Sequence, residues 1–402
     1  MKRISLVVVG LYINLFHGFS QEKDSSGYRQ RKLRLEEVNF VSSYYKQDGN
    51  NSAVTGGIGT EKLADVSNYF EVKLIRYKKN KKKVDLELGV GIDYYTSASS
   101  DNINPYSLSS ASSRDLRLYP SLTRTVTNES KGSALFTNIS YSVESDYQSY
   151  GLGAGLSRKS KDKNSEFTAK MQLYLDQLAI ILPVELRTES TGGLYGAYNQ
   201  HDYPWKHRNT ISTAFTLSKI VNTRLHLEVL ADLIYQEGFL GMPFHRIYFK
   251  DNSLGTEKLP SSRFKVPLAI KANYFFGDKI VIRSGYRFYK DDWGLNAHTA
   301  DLETAYKITS FFSFTPFYRF YHQSAIDFFG ETGQHGQTEQ YYSSNYNLAK
   351  FSSHFFGAGM RLAPPSGLFG KTHWNMIEVK YGHYIRTNGL YANIISLHLK
   401  YK

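Results

Sequence analysis

The strongest constraint on this chain is the alternation of apolar and polar residues over long segments. In one segment the apolar positions are Leu225, Leu227, Val229, Ala231, Leu233 and Tyr235. Residues 84–95 and 166–176 show the same pattern. Successive side chains of a β-strand point to opposite faces, so the pattern predicts strands with one apolar and one polar face.

The length of these segments indicates where the strands lie. Each runs for about ten residues or more, which is the length that a tilted strand needs to cross a bilayer. Strands of soluble proteins usually have about five or six residues. The sequence therefore predicts an all-β fold, a transmembrane antiparallel β-barrel. A soluble all-β protein is the alternative.

The aromatic composition agrees with a barrel. The chain has 32 Tyr and 25 Phe but 3 Trp, and such residues favour strands and membrane interfaces. Beyond the N-terminus the sequence contains no apolar run long enough for a membrane-spanning helix.

The alternating segments predict about sixteen strands, with fourteen or eighteen as alternatives. They cover residues 37–47, 65–78, 84–97, 114–126, 132–144, 148–158, 165–180, 208–220, 223–236, 263–276, 279–290, 298–308, 312–324, 352–363, 373–385 and 391–402. Short and long connections alternate, as expected for periplasmic turns and outer loops.

The N-terminus is typical of a secreted protein. Lys2 and Arg3 precede a short apolar stretch over residues 4–16. We predict a cleaved signal peptide over 1–20, a periplasmic lead-in over 21–36, and a barrel over 37–402 in the bacterial outer membrane. The last strand alternates up to Tyr401 and resembles the signal read by the barrel-assembly machinery. That machinery and outer-membrane lipid are therefore predicted partners.

The net charge of +13 does not indicate nucleic-acid binding. The basic residues are scattered, and the densest run, residues 78–83, lies between two predicted strands as a solvated turn. The chain has no cysteine, which agrees with passage through the oxidising periplasm.

One set of charged residues is a candidate lining of the lumen. Its members are Arg283, Arg287, Asp301, Glu303, Lys307 and Arg319. If residues 291–297 close a hairpin, Arg287 faces Asp301, Gly285 faces Glu303, and Arg283 lies diagonal to Glu303. The ladder would be a selectivity wall or, by the interpretation that we favour, a paired network that fills the interior.

A second candidate is an outer-turn cluster of Asp291, Asp292, Trp293 and His298. Carboxylates and a histidine could bind a metal or share a proton. Asp and Gly are also common in tight turns for backbone reasons, and this interpretation is favoured. Residues 201–207 combine two histidines with aromatic residues, for which loop packing is favoured over a metal or sugar site.

The sequence does not indicate an enzyme. A barrel phospholipase would need a serine beside an outward histidine such as His383, and the pattern singles out no serine. Glycine loops for phosphate, zinc-ligand spacing and nucleotide fingerprints do not occur. We therefore predict no catalytic residues, no cofactor and no metal. An outer-membrane hydrolase of phospholipase type is the alternative.

Several motifs resemble those of an uncharacterised outer-membrane barrel family of the Bacteroidota, domain of unknown function 3570. They are residues 286–301 (YRFYKDDWGLNAHTAD), 315–321 (TPFYRFY), 344–348 (SNYNL), 380–384 (KYGHY), 106–112 (YSLSSAS) and 141–147 (YSVESDY). The family has no established activity, so the resemblance implies no catalytic residues. It does imply a possible periplasmic partner that is linked to redox or flavin chemistry.

These observations predict a porin-like barrel that acts as a channel or as the membrane component of a cell-envelope complex. A scaffold for a periplasmic redox partner is a further alternative.

Overall fold

The structure is a computed structural model that describes residues 33–78, 82–96, 114–186 and 203–402. The predicted signal peptide and the lead-in as far as residue 32 lie outside the described residues. The same holds for residues 79–81 of the basic run and for the motif 106–112. Of the loop segment 201–207, the structure describes Tyr203 and the residues after it.

Within the described residues, strands account for almost all regular structure. They are β1 (Arg34–Asp48), β2 (Leu63–Lys78), β3 (Lys82–Thr96), β4 (Arg114–Asn128), β5 (Ser133–Val143), β6 (Tyr147–Lys159), β7 (Ser165–Ala179), β8 (Trp205–Ile220), β9 (Leu225–Gly238), β10 (Arg246–Tyr248), β11 (Leu254–Thr256), β12 (Ser262–Phe276), β13 (Ile280–Asp291), β14 (Asn296–Lys307), β15 (Phe312–Gln323), β16 (Phe351–Leu362), β17 (Trp374–Arg386) and β18 (Tyr391–Tyr401). Two short 3-10 helices cover Ala53–Thr55 and Val184–Leu186. The described part of the chain contains no helix that could span a bilayer.

Sixteen of these strands form a closed antiparallel barrel. Each strand pairs with its neighbours in sequence, β9 pairs with β12, and β18 closes the ring on β1. The predicted number of strands is confirmed, and each predicted boundary lies within three residues of the observed one. The small sheet β10–β11 lies within a predicted long connection and was not expected from the sequence.

The two faces of the wall differ as the alternation predicts. On β5 and β6, Leu135 is opposite Leu156 and Ile139 is opposite Leu152, and each of these side chains is about half exposed on the outer face. The polar Asn138 lies between the two β5 leucine and isoleucine positions and points the other way. The outer wall is therefore apolar and faces lipid, while the inner wall is polar.

Two long loops at the outer end of the barrel fold together into what we call the lid, residues 239–261 and 324–350. Lys258 and Tyr342 join them, because each backbone N–H donates to the other carbonyl at 3.1 and 2.8 Å. Ile247 and Ser343 are 1% and 0% exposed. The lid thus has a small core of its own.

The β13–β14 hairpin corrects the predicted register. Gly285 is opposite Asp301, and Arg283 is directly opposite Glu303. The predicted pairing of Arg287 with Asp301 is wrong, since Arg287 is opposite Thr299. The turn is tighter than the sequence suggested, because the N–H of Asp291 donates to the carbonyl of Leu295 at 3.1 Å.

The carboxylate of Asp291 explains this tight turn. Its Oδ1 accepts hydrogen bonds from the backbone N–H groups of Trp293 at 3.0 Å and Leu295 at 3.1 Å. Its Oδ2 accepts from Nε of Arg263 at 2.9 Å and from the hydroxyl of Tyr289 at 2.7 Å. One buried side chain therefore determines both the turn and its attachment to β12.

Replacing Asp291 should destabilise the barrel far more than replacing its neighbour. Asp291 has 0% and Arg263 12% side-chain exposure, so Asp291→Ala leaves a buried cation unpaired, which costs about 3–5 kcal/mol. Asp292→Ala removes one hydrogen bond, to the backbone N–H of Phe264, and should cost about 1 kcal/mol. Urea unfolding of the barrel in lipid vesicles measures both changes. Equal effects of the two variants would refute this role of Asp291.

Candidate functional site

The charged residues of the inner wall are distributed unequally around the ring. On β1–β4 the inward positions are mainly acidic: Glu37, Asp65, Glu71, Asp85, Glu87, Asp93 and Asp115, with Lys73, Lys83 and Arg117 among them. On β12–β17 they are mainly basic: Arg263, Lys265, Lys271, Arg283, Arg287, Lys307, Arg319, Arg361, Lys380 and Arg386, with Asp291, Asp301, Glu303 and Glu378 among them. The wall therefore has an acidic and a basic side.

Some of these charges are paired and others are not. Arg283 forms an ion pair with Glu303, and Lys73 lies 3.4 Å from Glu87. Arg287 and Arg319 are exposed, and neither forms a hydrogen bond or ion pair within the described ranges. An exposed guanidinium on an inward face must be solvated, so the lumen contains water beside this part of the wall.

A cavity of about 610 Å³ lies where the basic side meets the lid. The strands contribute Tyr45, Arg319, Phe355, Tyr384 and Arg386 to its lining. The outer loops contribute Glu61, His245 and Asn347. Aromatic rings and guanidinium groups therefore surround a space large enough for a small organic molecule.

The two arginines of this cavity differ in what holds them. The Arg386 guanidinium donates to Oδ1 of Asn347 at 2.7 Å and to the carbonyl of Tyr346 at 2.8 Å, and it lies 3.8 Å from the ring centroid of Phe351. It is buried and anchors the lid to the wall. Arg319 has no such partners and remains available to a solute.

Glu61 adds a carboxyl to the cavity from the loop before β2. Burial raises the pKa of the Glu61 carboxyl above its ordinary value, although the N–H of Asn51 and the charge of Arg386 oppose this shift. Asn51 donates to Oε2 of Glu61 at 3.2 Å. The cavity thus combines strong cations with one acid that takes up a proton more readily than usual.

A group of carboxylates lies at the outer β5–β6 turn. Oxygen atoms of Asp115, Glu144 and Asp146 all lie within 4.8 Å of one another. The hydroxyl of Tyr95 donates to Oε2 of Glu144 at 2.5 Å, and Nε of Arg117 lies 3.4 Å from Oε1. Burial, together with the charges of Asp115 and Glu144, raises the pKa of Asp146 to about 6.

The structure places most of the predicted lumen residues on the inner face. Arg283, Arg287, Asp301, Glu303 and Arg319 point inward, and Lys307 occupies an inward position where β14 ends, on the periplasmic side. Asp301 is opposite both Gly285 and Arg319. Their role in solute passage stays a prediction.

The predicted outer-turn cluster does not come together as one site. Asp291, Asp292 and Trp293 form the hairpin turn, where their contacts are those of turn chemistry and packing. His298 points to the outer face instead, where its Nδ1 lies 2.7 Å from the hydroxyl of Tyr286. His383 also points outward, as predicted, and its Nδ1 lies 2.9 Å from Oδ1 of Asn393.

Sequence reasoning missed the cavity residues Tyr45, Phe355, Tyr384 and Arg386. They come from β1, β16 and β17, and β1 approaches the other two strands only after the ring closes through β18. Tyr384 and Arg386 both occupy inward positions of the alternating pattern on β17, and this was a usable signal. An aromatic and a basic residue at successive inward positions indicate a binding wall. The contribution of the lid had no such signal.

The fold and the wall define an outer-membrane β-barrel protein, with an apolar belt outside and a wet, charged interior. The protein lies in the bacterial outer membrane. Its family follows from sequence: the chain belongs to the family described as "Protein of unknown function (DUF3570)", whose model matches residues 112–388. The resemblance inferred from the motifs is confirmed.

Solved structures of outer-membrane barrels are similar to this chain at low identity. The ferric enterobactin receptor of Pseudomonas aeruginosa has a TM-score of 0.46 and 10% identity, over 87% of this chain and 53% of the receptor. OccK9 (OpdG) of the same organism gives 0.41 and 8%, over 91% and 97%. A BenF-like porin from Pseudomonas fluorescens gives 0.41 and 9%, over 90% and 98%.

At these identities the likeness concerns the fold alone. This chain spans about half the length of the ferric enterobactin receptor. No curated protein matches the chain significantly.

Neutralising Asp146 should remove a loss of stability that the barrel undergoes as the pH rises from about 3.8 to about 6. The pKa of Asp146 is about 6 in the folded state against an ordinary 3.8, so the folded state loses stability as the pH rises through this interval. Asp146→Asn removes that loss and should unfold at a higher temperature than the wild type at pH 8, with a smaller difference at pH 4.5. The shift of the folded band on a heated gel measures the transition.

Asp162→Asn is the matched control, because Asp162 is a fully exposed carboxyl in the β6–β7 turn. It should give no gain at pH 8. A gain of the same size in both variants would contradict the assignment to Asp146.

Proposed function

We propose that this protein is an outer-membrane channel whose lumen favours small anionic solutes. The observation that carries the proposal is the set of exposed inward arginines that form no close ion pair, although Asp301 lies opposite Arg319 and Glu378 lies opposite Arg361. Arg287, Arg319 and Arg361 are exposed at inward positions of β13, β15 and β16, and none of them makes a hydrogen bond or ion pair within the described part of the chain. Their charges are available to a passing anion.

The surroundings of these arginines strengthen their effect. A wet lumen inside a low-dielectric wall focuses the field of charges that line it, which raises the local concentration of oppositely charged solutes. The acidic side of the wall lies on β1–β4 and the basic side on β12–β17. An anion is therefore drawn toward the basic strands, and the cavity of about 610 Å³ lies beside them.

The cavity supports a preference for anions that also carry a planar ring. Arg319 supplies the free charge, while Tyr45, Phe355 and Tyr384 supply aromatic surface. Planar groups stack on such rings and on guanidinium groups. We infer that a small aromatic carboxylate would dwell in this cavity longer than chloride does.

Single-channel recording in planar bilayers tests the proposal. The wild type should conduct, and its reversal potential in a KCl gradient should indicate anion preference. The double variant Arg287→Gln and Arg319→Gln should shift that potential toward cations, because it removes two unpaired positive charges from the lumen. Benzoate should reduce the wild-type current more than that of the variant.

Lys290→Gln is the control variant, because Lys290 points to the outer face of β13, as Tyr286 does. It should leave the reversal potential unchanged. A barrel that carries no current in any condition would refute the channel. A current with the same ion preference in wild type and double variant would refute the role of the arginines.

One observation favours a hydrolase as the second candidate. On the inner wall, Oγ of Ser218 lies 2.7 Å from Nε2 of His226, and Nδ2 of Asn273 lies 3.2 Å from Nδ1 of the same ring. With the amide nitrogen facing the ring, Nδ1 accepts and Nε2 donates to Ser218. That tautomer is the opposite of the one that a general base needs. Catalysis would require the amide of Asn273 to turn over.

A fluorophosphonate probe separates the two functions. A channel leaves Ser218 unlabelled, and we expect that result. Labelling that disappears in Ser218→Ala but persists in Ser212→Ala, a serine at another inward position of β8, would support the hydrolase instead.

A further inference from the structure

Four histidines point outward from four adjacent strands. They are His298 on β14, His322 on β15, His354 on β16 and His383 on β17, and we call them the histidine belt. Each is an even number of residues away from an exposed apolar or tyrosine side chain on its own strand and therefore points to the same face. These exposed residues are Leu302, Tyr318, Met360 and Val379. The belt therefore lies on the lipid-facing wall.

The belt histidines follow the register of the strands with two small steps toward the periplasm. His298 is opposite His322. His354 is opposite Phe320, one outward position nearer the periplasm than His322, and His383 is opposite Phe356, again one outward position nearer. Each of the last two steps thus moves the belt along the strands by one outward position.

The tilt of the strands compensates for these steps. The hydrogen-bonded row that starts at Ile280, the periplasmic end of β13, runs through Tyr306, Phe314 and Met360. It reaches Val379, well inside β17. Rows therefore climb toward the outer end from β13 to β17, as strand tilt requires. Because the rows climb while the histidines step toward the periplasm, the two effects offset each other. The four histidines therefore lie at about the same depth in the membrane.

Each belt histidine is held through the same ring nitrogen. Nδ1 lies 2.7 Å from the hydroxyl of Tyr286 for His298, 2.8 Å from Oγ of Ser352 for His322, 2.8 Å from the hydroxyl of Tyr318 for His354, and 2.9 Å from Oδ1 of Asn393 for His383. Nε2 of each ring has no hydrogen-bond partner among the residues that the structure describes. It is therefore free to contact a molecule outside the wall.

The charge of this face favours an anion. The outward positions of β13–β18, all of them described, include no carboxylate, and their one formal cation is Lys290. The titratable groups that face the belt are Lys290 and the tyrosines Tyr286, Tyr318, Tyr381 and Tyr391. A phosphate oxygen that approaches the free Nε2 atoms therefore meets no carboxylate on the outer face of these strands.

We propose that the histidine belt is a docking site for the phosphate group of an outer-leaflet lipid. The exposed apolar residues Leu302 and Val379 lie two outward positions nearer the periplasm than the belt histidines of their own strands, so the belt marks the edge of the hydrocarbon, where headgroup phosphates lie. The rings of Phe288, Phe320 and Phe356 lie 5.2, 5.4 and 5.6 Å from belt imidazoles. They provide an apolar surface for the first segments of an acyl chain.

The proposed site is one-sided. It covers four of the sixteen barrel strands, so one or a few lipids would bind there rather than a complete annulus.

Native mass spectrometry of the full barrel tests the site with phosphatidylglycerol, whose phosphodiester is anionic. The wild type should retain this lipid, and a variant with all four belt histidines changed to Gln should retain severalfold less of it. His207→Gln changes an outward histidine on β8, outside the belt, and should behave as the wild type does.

Further results would overturn the proposal. Retention that survives in the belt variant excludes the belt as the site. If the barrel in detergent retains inorganic phosphate as well as it retains phosphatidylglycerol, a lipid is excluded as the ligand. If dimers form in neutral lipid and depend on the belt histidines, the face is assigned to a second copy of the chain. His354→Gln alone serves as a second variant, because it changes one side chain instead of four. It should lose part of the retention while it keeps the folded band on a gel.

Discussion

Closure of the sheet is the constraint on which the rest of this molecule depends. Inside a bilayer each unpaired backbone N–H or C=O costs several kcal/mol, so a sheet can span it only without free edges. The pairing of β1 with β18, from Val38–Tyr401 to Asp48–Tyr391, removes the last two edges. Once the ring is closed, the position of a residue in the alternating pattern decides whether its side chain faces lipid or the lumen. The unpaired arginines and the histidine belt are consequences of that pattern.

The fold was largely predictable because its signal is local. Alternation over ten or more residues identifies a strand wherever it pairs, so all sixteen barrel strands were found from their own sequences. The register of β13 with β14 was not predictable in this way. It depends on the Asp291 carboxylate, which binds two backbone N–H groups and closes a short turn. The sheet β10–β11 was missed for a similar reason, because its strands of three residues carry no periodic pattern.

The candidate site was less predictable than the fold, because it is assembled from distant parts of the chain. The alternation placed Arg287 and Arg319 on the inner wall, but it could not show that neither forms a close ion pair. For Arg287 this follows from the register, which places Thr299 opposite it, while Asp301 lies opposite Arg319. Tyr45 and Arg386 line the same cavity although they lie near opposite ends of the chain. The outward histidines could have been found by parity, yet their common depth depends on register and tilt.

The lid is tied together more firmly than either of its loops could be alone. Main-chain hydrogen bonds join its two loops at Lys258 and Tyr342, and Arg386 fastens Tyr346 and Asn347 to the wall. Neither loop can move away from the barrel mouth without breaking hydrogen bonds to the other, so any movement of the lid would involve both loops together. A solute small enough to pass beside the lid would not require this movement. If the protein is the channel that we propose, the lid would therefore select solutes by size before the charged wall acts on them.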